Sequence, residues 1–356
     1  MSMSITDTIN KSIAKAARPI FLIGAGIRQS GTTETLRELA EKAKIPILSS
    51  MVSQDTVPTS AHYFGYIGSH GLRYANFILS ESDLIVGLGN RLAFNHYSET
   101  FGGIAQKNII QVDIENRQSS TNLREVLPLL FRTIESTDRH TCWLNFCTRV
   151  KQLLNDVDTS FPVDTIVDIM KQNSGALFVS DVGNNCFWVT RAYAYAFVSN
   201  RMLLSKSFAA LGCSLPKSIG AYYAARKPII CFTGDQGLLF NIQELHFIAE
   251  NKLPITIVLL NNASSGMIYS IQKAHKRQNF IHTTSYSGYT IPDFKKVAEA
   301  FNVSLLEIAI SKEIEPPRLP IKNLCYDFIP NLCVEKTKIL ERIKKEFYGK
   351  FETNRA

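Results

Sequence analysis

The sequence lacks the features that mark secreted, membrane-spanning or metal-stapled proteins. Its seven cysteines are odd in number and include no Cys-x-x-Cys pair, so neither a disulfide framework nor a zinc site is expected. No apolar run reaches the roughly 20 residues of a membrane helix. The first residues, MSMSITDTINKSIAKAARP, lack the apolar stretch of a secretion signal. These absences predict a soluble cytoplasmic protein with reduced thiols and no membrane partner.

The chain carries an excess of positive charge, but the charge is spread out. Its net charge is +8, with 45% hydrophobic and 20% charged residues, which is typical of an ordinary globular protein. Near the C-terminus, basic residues alternate with Glu335, Glu341 and Glu346. This pattern indicates a solvated helix face and not a nucleic-acid-binding stripe. We therefore predict no nucleic-acid partner.

Both halves of the chain alternate short apolar runs with helical patterns. In the first half, apolar runs cover 19–23, 45–48, 84–88 and 108–112, and a helical pattern covers 33–44. In the second half, runs cover 176–180, 229–232, 255–260 and 305–310, with helical patterns over 215–225, 242–250 and 292–301. Buried runs that alternate with helices are typical of parallel sheets covered on both faces. The sequence predicts an α/β fold with two doubly wound parallel-sheet (Rossmann-like) domains.

The composition also suggests where the domains end. A more polar stretch between the two halves is interpreted as a connector. The predicted organisation is a first domain over 12–135, the connector over 136–161, a second domain over 162–335 and a basic helical tail over 336–356. The strand ends of the first domain should meet at one edge of its sheet; they are Gly24, Ser49, Gly89 and Asp113.

Two oxygen-bearing side chains follow neighbouring apolar runs in the second half. Asp235 follows the run 229–232, and Asn262 follows the run 255–260, 27 residues after Asp235. Carboxylate and amide oxygens together with diphosphate oxygens suit Mg²⁺. Gly234 and Gly237 would permit close approach of the backbone to a phosphate. A helix beginning near Asn241 should also direct its N-terminus to this region, which favours anions.

Several short motifs resemble those of thiamine diphosphate enzymes, in particular the acetolactate synthase-like branch. The resemblance covers about residues 15–335 and implies the central and diphosphate-binding (PP) domains of that family. In the second half the motifs are Asp181-Val182-Gly183 with Trp188, Leu215-Pro216 with Ile219-Gly220-Ala221, Gly234-Asp235 with Asn261-Asn262, Asn241 to Leu245, and Ile291-Pro292-Asp293-Phe294. In the first half they are Gly24 to Arg28, Gly68-Ser69-His70-Gly71 and Gly89-Asn90-Arg91.

The resemblance implies a set of binding residues. Mg²⁺ would be held by the side chains of Asp235 and Asn262 and by the carbonyl of Ser264. Leu211 would wedge the thiamine diphosphate into its bent form, although periodicity alone makes Leu211 and Met267 ordinary core. The full implied cofactor set is Gly183, Asn184, Asn185, Leu211, Gly234, Asp235, Gln236, Gly237, Asn262, Ser264, Gly266 and Met267.

The resemblance also implies an activity. Such enzymes decarboxylate a 2-keto acid such as pyruvate and join it to a second carbonyl compound, which makes them transferases or lyases. The glutamate that activates the cofactor belongs to an N-terminal pyrimidine-binding domain, which no segment of this sequence resembles. No catalytic residue is therefore expected in this chain. We expect a homo-oligomer, or a partner chain carrying that domain, and a chain that is not active alone.

Departures from the family pattern leave an alternative open, a truncated or degenerate homologue that binds cofactor or partner without turnover. Gln236 replaces a glycine, Asn185 a histidine, and Ile271 a tryptophan of the substrate pocket. FAD is bound by many of these enzymes, but Ala93 and Asn95 replace the polar residues usual after Gly89-Asn90-Arg91, which argues against FAD. A nicotinamide dehydrogenase is suggested only by Gly24-Ala25-Gly26, and Gln29 stands where its motif needs a glycine.

Overall fold

A computed structural model describes most of the chain, in two compact units. The described residues are 4–92, 108–115, 121–155, 160–206, 208–275, 279–318, 321–322, 325–326 and 334–352. The first unit comprises 1–157 and 318–356, and the second comprises 158–317. Across the described residues no helix combines the length and the apolar character needed to cross a membrane.

The described residues form twelve strands and fourteen α-helices. The strands are β1 (Pro19–Ile23), β2 (Ile47–Ser49), β3 (Tyr63–Tyr66), β4 (Leu84–Leu88), β5 (Asn108–Val112), β6 (Leu177–Ser180), β7 (Met202–Leu203), β8 (Ile229–Gly234), β9 (Ile255–Asn261), β10 (Leu305–Ala309), β11 (Ile321–Lys322) and β12 (Cys325–Tyr326). The helices are α1 (Ile5–Lys15), α2 (Gly26–Gln29), α3 (Thr33–Ala43), α4 (Arg73–Glu81), α5 (Leu123–Thr133), α6 (Asp138–Leu154), α7 (Val163–Gln172), α8 (Asn184–Ala196), α9 (Ser214–Ala225), α10 (Asp235–Phe240), α11 (Glu244–Glu250), α12 (Gly266–Ala274), α13 (Phe294–Phe301) and α14 (Val334–Glu352).

The first unit contains a parallel five-stranded sheet in the order β3-β2-β1-β4-β5. Strand β1 is buried along its whole length, which explains why its sequence is a continuous apolar run. The register pairs Ile23 with Ser49 and with Leu88, so the predicted strand ends do meet at one edge. Helix α3 buries the predicted face, whose residues are Leu36, Leu39, Ala40 and Ala43.

The last described helix packs within the first unit. Phe347 of α14 is 5% exposed, and its ring centroid lies 4.7 Å from that of Phe146 and 5.7 Å from that of Trp143 on α6. Leu340 and Ile343 of α14 are also buried. Helix α6 falls in the predicted connector and α14 in the predicted tail, yet the two form one packed pair. The solvated basic face that the sequence indicates is one side of α14 only.

The second unit contains another parallel five-stranded sheet, in the order β10-β9-β8-β6-β7. The first two strands of the unit, β6 and β7, lie at one end of the sheet, and β8, β9 and β10 follow on the other side of β6. The strand order therefore reverses between β6 and β8. Open parallel sheets bind ligands beyond the carboxyl ends of the strands at such a reversal. The two parallel sheets with their helices confirm the predicted fold class.

Candidate functional site

A cavity of about 380 Å³ lies in the second unit, beyond the carboxyl ends of β6, β8 and β9. The twelve residues of the predicted cofactor set come from four separate segments of the sequence, and all of them line this cavity. Ser205, Lys206 and Trp188 line it as well. The structure thus brings the predicted residues together; the role of each remains a prediction.

Three helices begin at the cavity wall. Gly183, Gly234 and Ser265 are the N-cap residues of α8, α10 and α12, and none of them caps its helix with a side chain. Backbone N–H groups at an uncapped helix start can bind an anion, although in α10 Gln236 N already donates to Asp235 Oδ1. The predicted helix over 242–250 is present as α11, which begins at Glu244. The expectation that its N-terminus faces the site is wrong, because none of its residues lines the cavity and the helix that begins there is α10, at Asp235.

The two N-cap glycines, Gly183 and Gly234, leave room for a ligand. A Cβ added at Gly183 or at Gly234 would meet no atom within 4 Å, so the wall is open above both. Gly183 has φ 74° and ψ −154°, a conformation that is essentially confined to glycine. Gly237 has a different environment, since an added Cβ would lie 3.1 Å from the Asp181 carboxyl. The structure therefore assigns Gly237 a packing contact.

Asp235 is the acidic group of the cavity. It is 3% exposed, and burial raises its pKa from 3.8 to about 6, although backbone hydrogen bonds act in the opposite direction. Gln236 N donates to its Oδ1 at 2.8 Å, and Ser264 N donates to its Oδ2 at 3.1 Å. An ionised carboxylate is costly in such a place unless a cation compensates its charge. The arrangement suits a hard cation bound to Asp235.

Asn262 reaches the same region from the end of β9. A Cβ added at Gly266 would lie 2.3 Å from Asn262 Nδ2 and 3.1 Å from Asn184 Nδ2. The two amides therefore approach the first residue of α12 closely, and a larger residue at Gly266 would require the Asn262 side chain to move. This contact joins the end of β9 to the first turns of α8 and α12. Amide oxygens at such a position are suitable ligands for Mg²⁺.

Ser264 is held by a loop that the sequence did not connect with the site. Its hydroxyl donates to the Thr283 carbonyl at 2.5 Å, and Tyr289 of the same loop lies close enough to Asp235 for the carboxylate, together with burial, to raise the pKa of the Tyr289 hydroxyl. Burial is the larger of these two effects. The loop thus orients the segment whose carbonyl is the predicted third metal ligand.

Asp181 organises the wall opposite β9. This carboxylate is fully buried and accepts hydrogen bonds from Val182 N, Gly212 N, Ser214 N and the Ser214 hydroxyl at 2.6 to 3.1 Å. It therefore ties the segment that carries Leu211 to the end of β6. The resemblance included Asp181 in a motif, but its role as an anchor could be found only from the contacts.

Two buried polar atoms of the cavity wall have no partner. Asn185 Oδ1 and Trp188 Nε1 are buried and have no hydrogen-bond partner among the described residues. The amide nitrogen of Asn185 is already used, since it donates to Ser180 Oγ at 3.0 Å. Buried polar atoms are nearly always paired. Together with the open glycines, the uncapped helices and Asp235, these atoms fit a polar, anionic ligand accompanied by a hard cation.

The departures from the family pattern have definite places. Gln236 lines the cavity, and its Oε1 accepts a hydrogen bond of 3.0 Å from Ser265 Oγ. Lys217 turns its ammonium to the Ser180 carbonyl at 3.1 Å, where it supports β6. Ile271 is 47% exposed on α12 and does not line this cavity. Gln236 is therefore the departure that changes the wall itself.

The glycines of the first unit pack against each other. A Cβ at Gly24 would lie 2.1 Å from the Gly89 carbonyl oxygen, and Asn90 Nδ2 donates to the Ile23 carbonyl at 3.1 Å. Gly24, Gly89 and Asn90 thus hold β1 and β4 together where these strands end. Ala93 and Asn95, on which the argument against FAD depended, lie outside the described residues.

Comparison with known proteins agrees with the resemblance. Residues 6–135 match the thiamine pyrophosphate enzyme central domain, and residues 181–317 match its C-terminal TPP binding domain. The acetolactate synthase large subunit of Cyanidium caldarium is 27% identical over 332 residues, which cover 87% of this chain and 56% of that protein. A probable acetolactate synthase large subunit of Methanococcus aeolicus is 27% identical over 372 residues, covering 94% of this chain and 61% of that protein.

A bacterial relative shows the same relationship. The acetolactate synthase isozyme 1 large subunit of Escherichia coli is 27% identical over 332 residues, covering 85% of this chain and 56% of that protein. The chain thus spans less than two thirds of the length of these relatives. The chain belongs to the thiamine pyrophosphate enzyme family. Within that family it is acetolactate synthase-like, as its motifs predict.

Proposed function

We propose that the cavity binds thiamine diphosphate and Mg²⁺, and that the chain is a component of an acetolactate synthase-like enzyme. The proposed reaction decarboxylates a 2-keto acid, in the first place pyruvate, and joins it to a second carbonyl compound. The observation that carries the proposal is the convergence of twelve residues from four sequence segments on one cavity, with a buried carboxylate at its wall.

The residues divide into two groups by their chemistry. Asp235, Asn262 and the Ser264 carbonyl would hold the metal, because all three residues line the cavity and each can offer an oxygen ligand. Asn184 and Asn185, in the first turn of α8, would hold the diphosphate, because the helix begins there without a side-chain cap. When bound, thiamine diphosphate supplies an electron sink for the carbanion left by decarboxylation.

The apolar wall would set the shape of the bound cofactor. Leu211 and Met267 line the cavity and would support the cofactor's rings, as the resemblance implies. The hydrogen bonds of Asp181 fix the segment next to Leu211, so this support is rigid. A rigid wall orients the reacting carbon and limits the access of water.

The proposal requires a pyrimidine-binding domain from outside these 356 residues. The resemblance places the activating glutamate in that domain, and no catalytic residue is assigned to this chain. We propose that the domain is contributed by another chain, so that the active species is an oligomer that includes this partner. General acid–base assistance of this kind is worth about 10²–10⁴ in rate, so the isolated chain should turn over slowly.

Calorimetry tests the binding part of the proposal. The chain should bind thiamine diphosphate when Mg²⁺ is present, and Asp235→Asn should abolish the metal-dependent part. Glu250→Gln is a matched control, since Glu250 is exposed on α11. Absence of binding in the unmodified chain would refute the proposed function.

Turnover tests the catalytic part. Pyruvate consumption should rise when a separately expressed pyrimidine-binding domain of the natural partner is added to the cofactor-loaded chain. Cofactor binding without such a rise would favour the alternative, a degenerate homologue that only binds. Gln236 is the observation that favours this alternative, because its side chain stands in the cavity wall.

A further inference from the structure

One cation of the cavity has no part in the function proposed so far. Asp235 and Lys206 are the two charged side chains among the residues that line the cavity. Asp235 belongs to the metal end, whereas Lys206 lies in the segment that follows β7. The sequence motifs did not single it out, because nothing in its immediate surroundings marks it as a binding residue.

The ammonium group of Lys206 is held over an aromatic ring. Its Nζ lies 4.2 Å from the ring centroid of Phe187, a favourable cation–π distance. Among the described residues no carboxylate lies within 4 Å of it. The side chain is half-buried. A half-buried cation without a carboxylate partner is available to an anion that enters the cavity.

Phe187 places this cation beside the first turn of α8. That turn also contains Asn184 and Cys186, and its backbone N–H groups lack a side-chain cap. Burial raises the pKa of the Cys186 thiol, while the charge of Lys206 acts on it in the opposite direction, which agrees with a position close to this turn. Trp188, 2% exposed, adds an indole N–H without a partner among the described residues.

The opposite side of the phosphate region offers fewer donors. Gln236 N donates to the Asp235 carboxylate, and Gln236 Oε1 accepts from the Ser265 hydroxyl, so the uncharged side-chain amide is the donor that Gln236 could still offer. One divalent cation does not neutralise a diphosphate completely. A second cation on the α8 side would compensate the remaining charge.

Building on the proposed function, we propose that Lys206 is a diphosphate-binding residue of this cavity, whose ammonium group pairs with a phosphate oxygen of the cofactor. The Phe187 ring would then cover the apolar stem of Lys206. The ligand chemistry is a phosphate or diphosphate ester, not the carboxylate of the 2-keto acid.

The test is calorimetric titration of the full chain with thiamine diphosphate, and separately with inorganic pyrophosphate, each in the presence of Mg²⁺. Lys206→Met removes the charge and keeps the stem, and should weaken both ligands about tenfold or more, as expected for loss of a charge-assisted hydrogen bond. Lys206→Arg should restore binding to within about threefold. The difference between Lys206→Met and the unmodified chain should shrink at high salt.

The control variant is Lys227→Met, an exposed lysine of the same unit, which should bind like the unmodified chain. Equal affinity of Lys206→Met and the unmodified chain overturns the inference and leaves the proposed function intact. An equal loss of affinity in Lys206→Met and Lys206→Arg would indicate a packing role and would also overturn the inference. So would a Lys206→Met variant that binds thiamine diphosphate and pyrophosphate normally and differs only in its response to pyruvate added to the cofactor-loaded chain. If the unmodified chain binds no thiamine diphosphate, the proposed function itself has failed.

Discussion

The buried Asp235 carboxylate should make the metal-free chain less stable at neutral pH than in mild acid. Burial raises its pKa from 3.8 to about 6. Because the folded-state pKa lies above the unfolded value, the folded chain binds more protons between the two. The free energy of unfolding therefore falls as the pH rises from about 4 to about 6. The difference between the two pKa values corresponds to a loss of about 3 kcal/mol in the free energy of unfolding at neutral pH. A bound cation would remove this loss.

The Asp235→Asn variant distinguishes the destabilising effect of the buried charge from the role of Asp235 in cofactor binding. The amide carries no charge, but it can accept only one of the two hydrogen bonds now donated by Gln236 N and Ser264 N. Losing one acceptor costs about 1–2 kcal/mol. The variant should thus be about 1–2 kcal/mol more stable than the unmodified chain at pH 7.5, and the difference should vanish near pH 5. Its metal-dependent cofactor binding should be lost.

Urea unfolding followed by tryptophan fluorescence measures this difference in one unit alone. The chain has 2 tryptophans, Trp143 in the first unit and Trp188 in the second, so a Trp143→Phe background leaves a reporter beside the cavity. Mg²⁺ with thiamine diphosphate should stabilise the unmodified chain and the Glu250→Gln control, but not the Asp235→Asn variant. If Asp235→Asn destabilises the second unit equally at pH 5 and pH 7.5, Asp235 is an ordinary structural acid and the reasoning fails.

Three further predictions concern other parts of the chain. Asp181→Asn should destabilise the second unit by about 2–4 kcal/mol, since buried donors lose their acceptor; urea unfolding read from Trp188 checks this, and a loss under 1 kcal/mol would contradict the anchoring role. Gln236→Gly should raise thiamine diphosphate affinity several-fold by removing a side chain from the wall, and a lower affinity in calorimetry would show that Gln236 shapes the site. Phe347→Ala should destabilise the first unit by about 3–4 kcal/mol, measured by Trp143 fluorescence; an unchanged midpoint would mean that α14 is dispensable.

The strands were predictable because of how they are buried. Strands β1 and β4 have the predicted bounds, since both are buried along their whole length and a strand covered on both faces must be apolar throughout. Strand β5 also has the predicted bounds, although only Val112 is fully buried in it. The ends of these apolar runs predict where the strands end, and therefore which polar residues lie at the carboxyl edge of the sheet. Short or mixed elements were not predicted: β3 is only partly buried at Tyr63, and β7 has two residues.

The helix after β8 shows why local pattern was insufficient at the site. The helix predicted over 242–250 begins at Glu244. Asn241, near its predicted start, has a non-helical backbone conformation and donates its Nδ2 to the Gly212 carbonyl at 2.8 Å. That bond crosses 29 positions of the sequence, so no local signal announces it. Helix α10 ends at Phe240, one residue before Asn241, and α11 begins at Glu244.

The sequence by itself determined the parallel strands, the family and the twelve residues of the predicted cofactor set, because these depend on apolar periodicity and on short motifs that survive at 27% identity. Only the tertiary structure decided which helices begin at the cavity, that Asp181 anchors the wall next to Leu211, and that Lys206 lies over Phe187. Each of these facts is a contact between residues distant in the chain. Such contacts depend on the sheet order, which brings the ends of β6, β8 and β9 together, and no stretch of sequence carries that order alone.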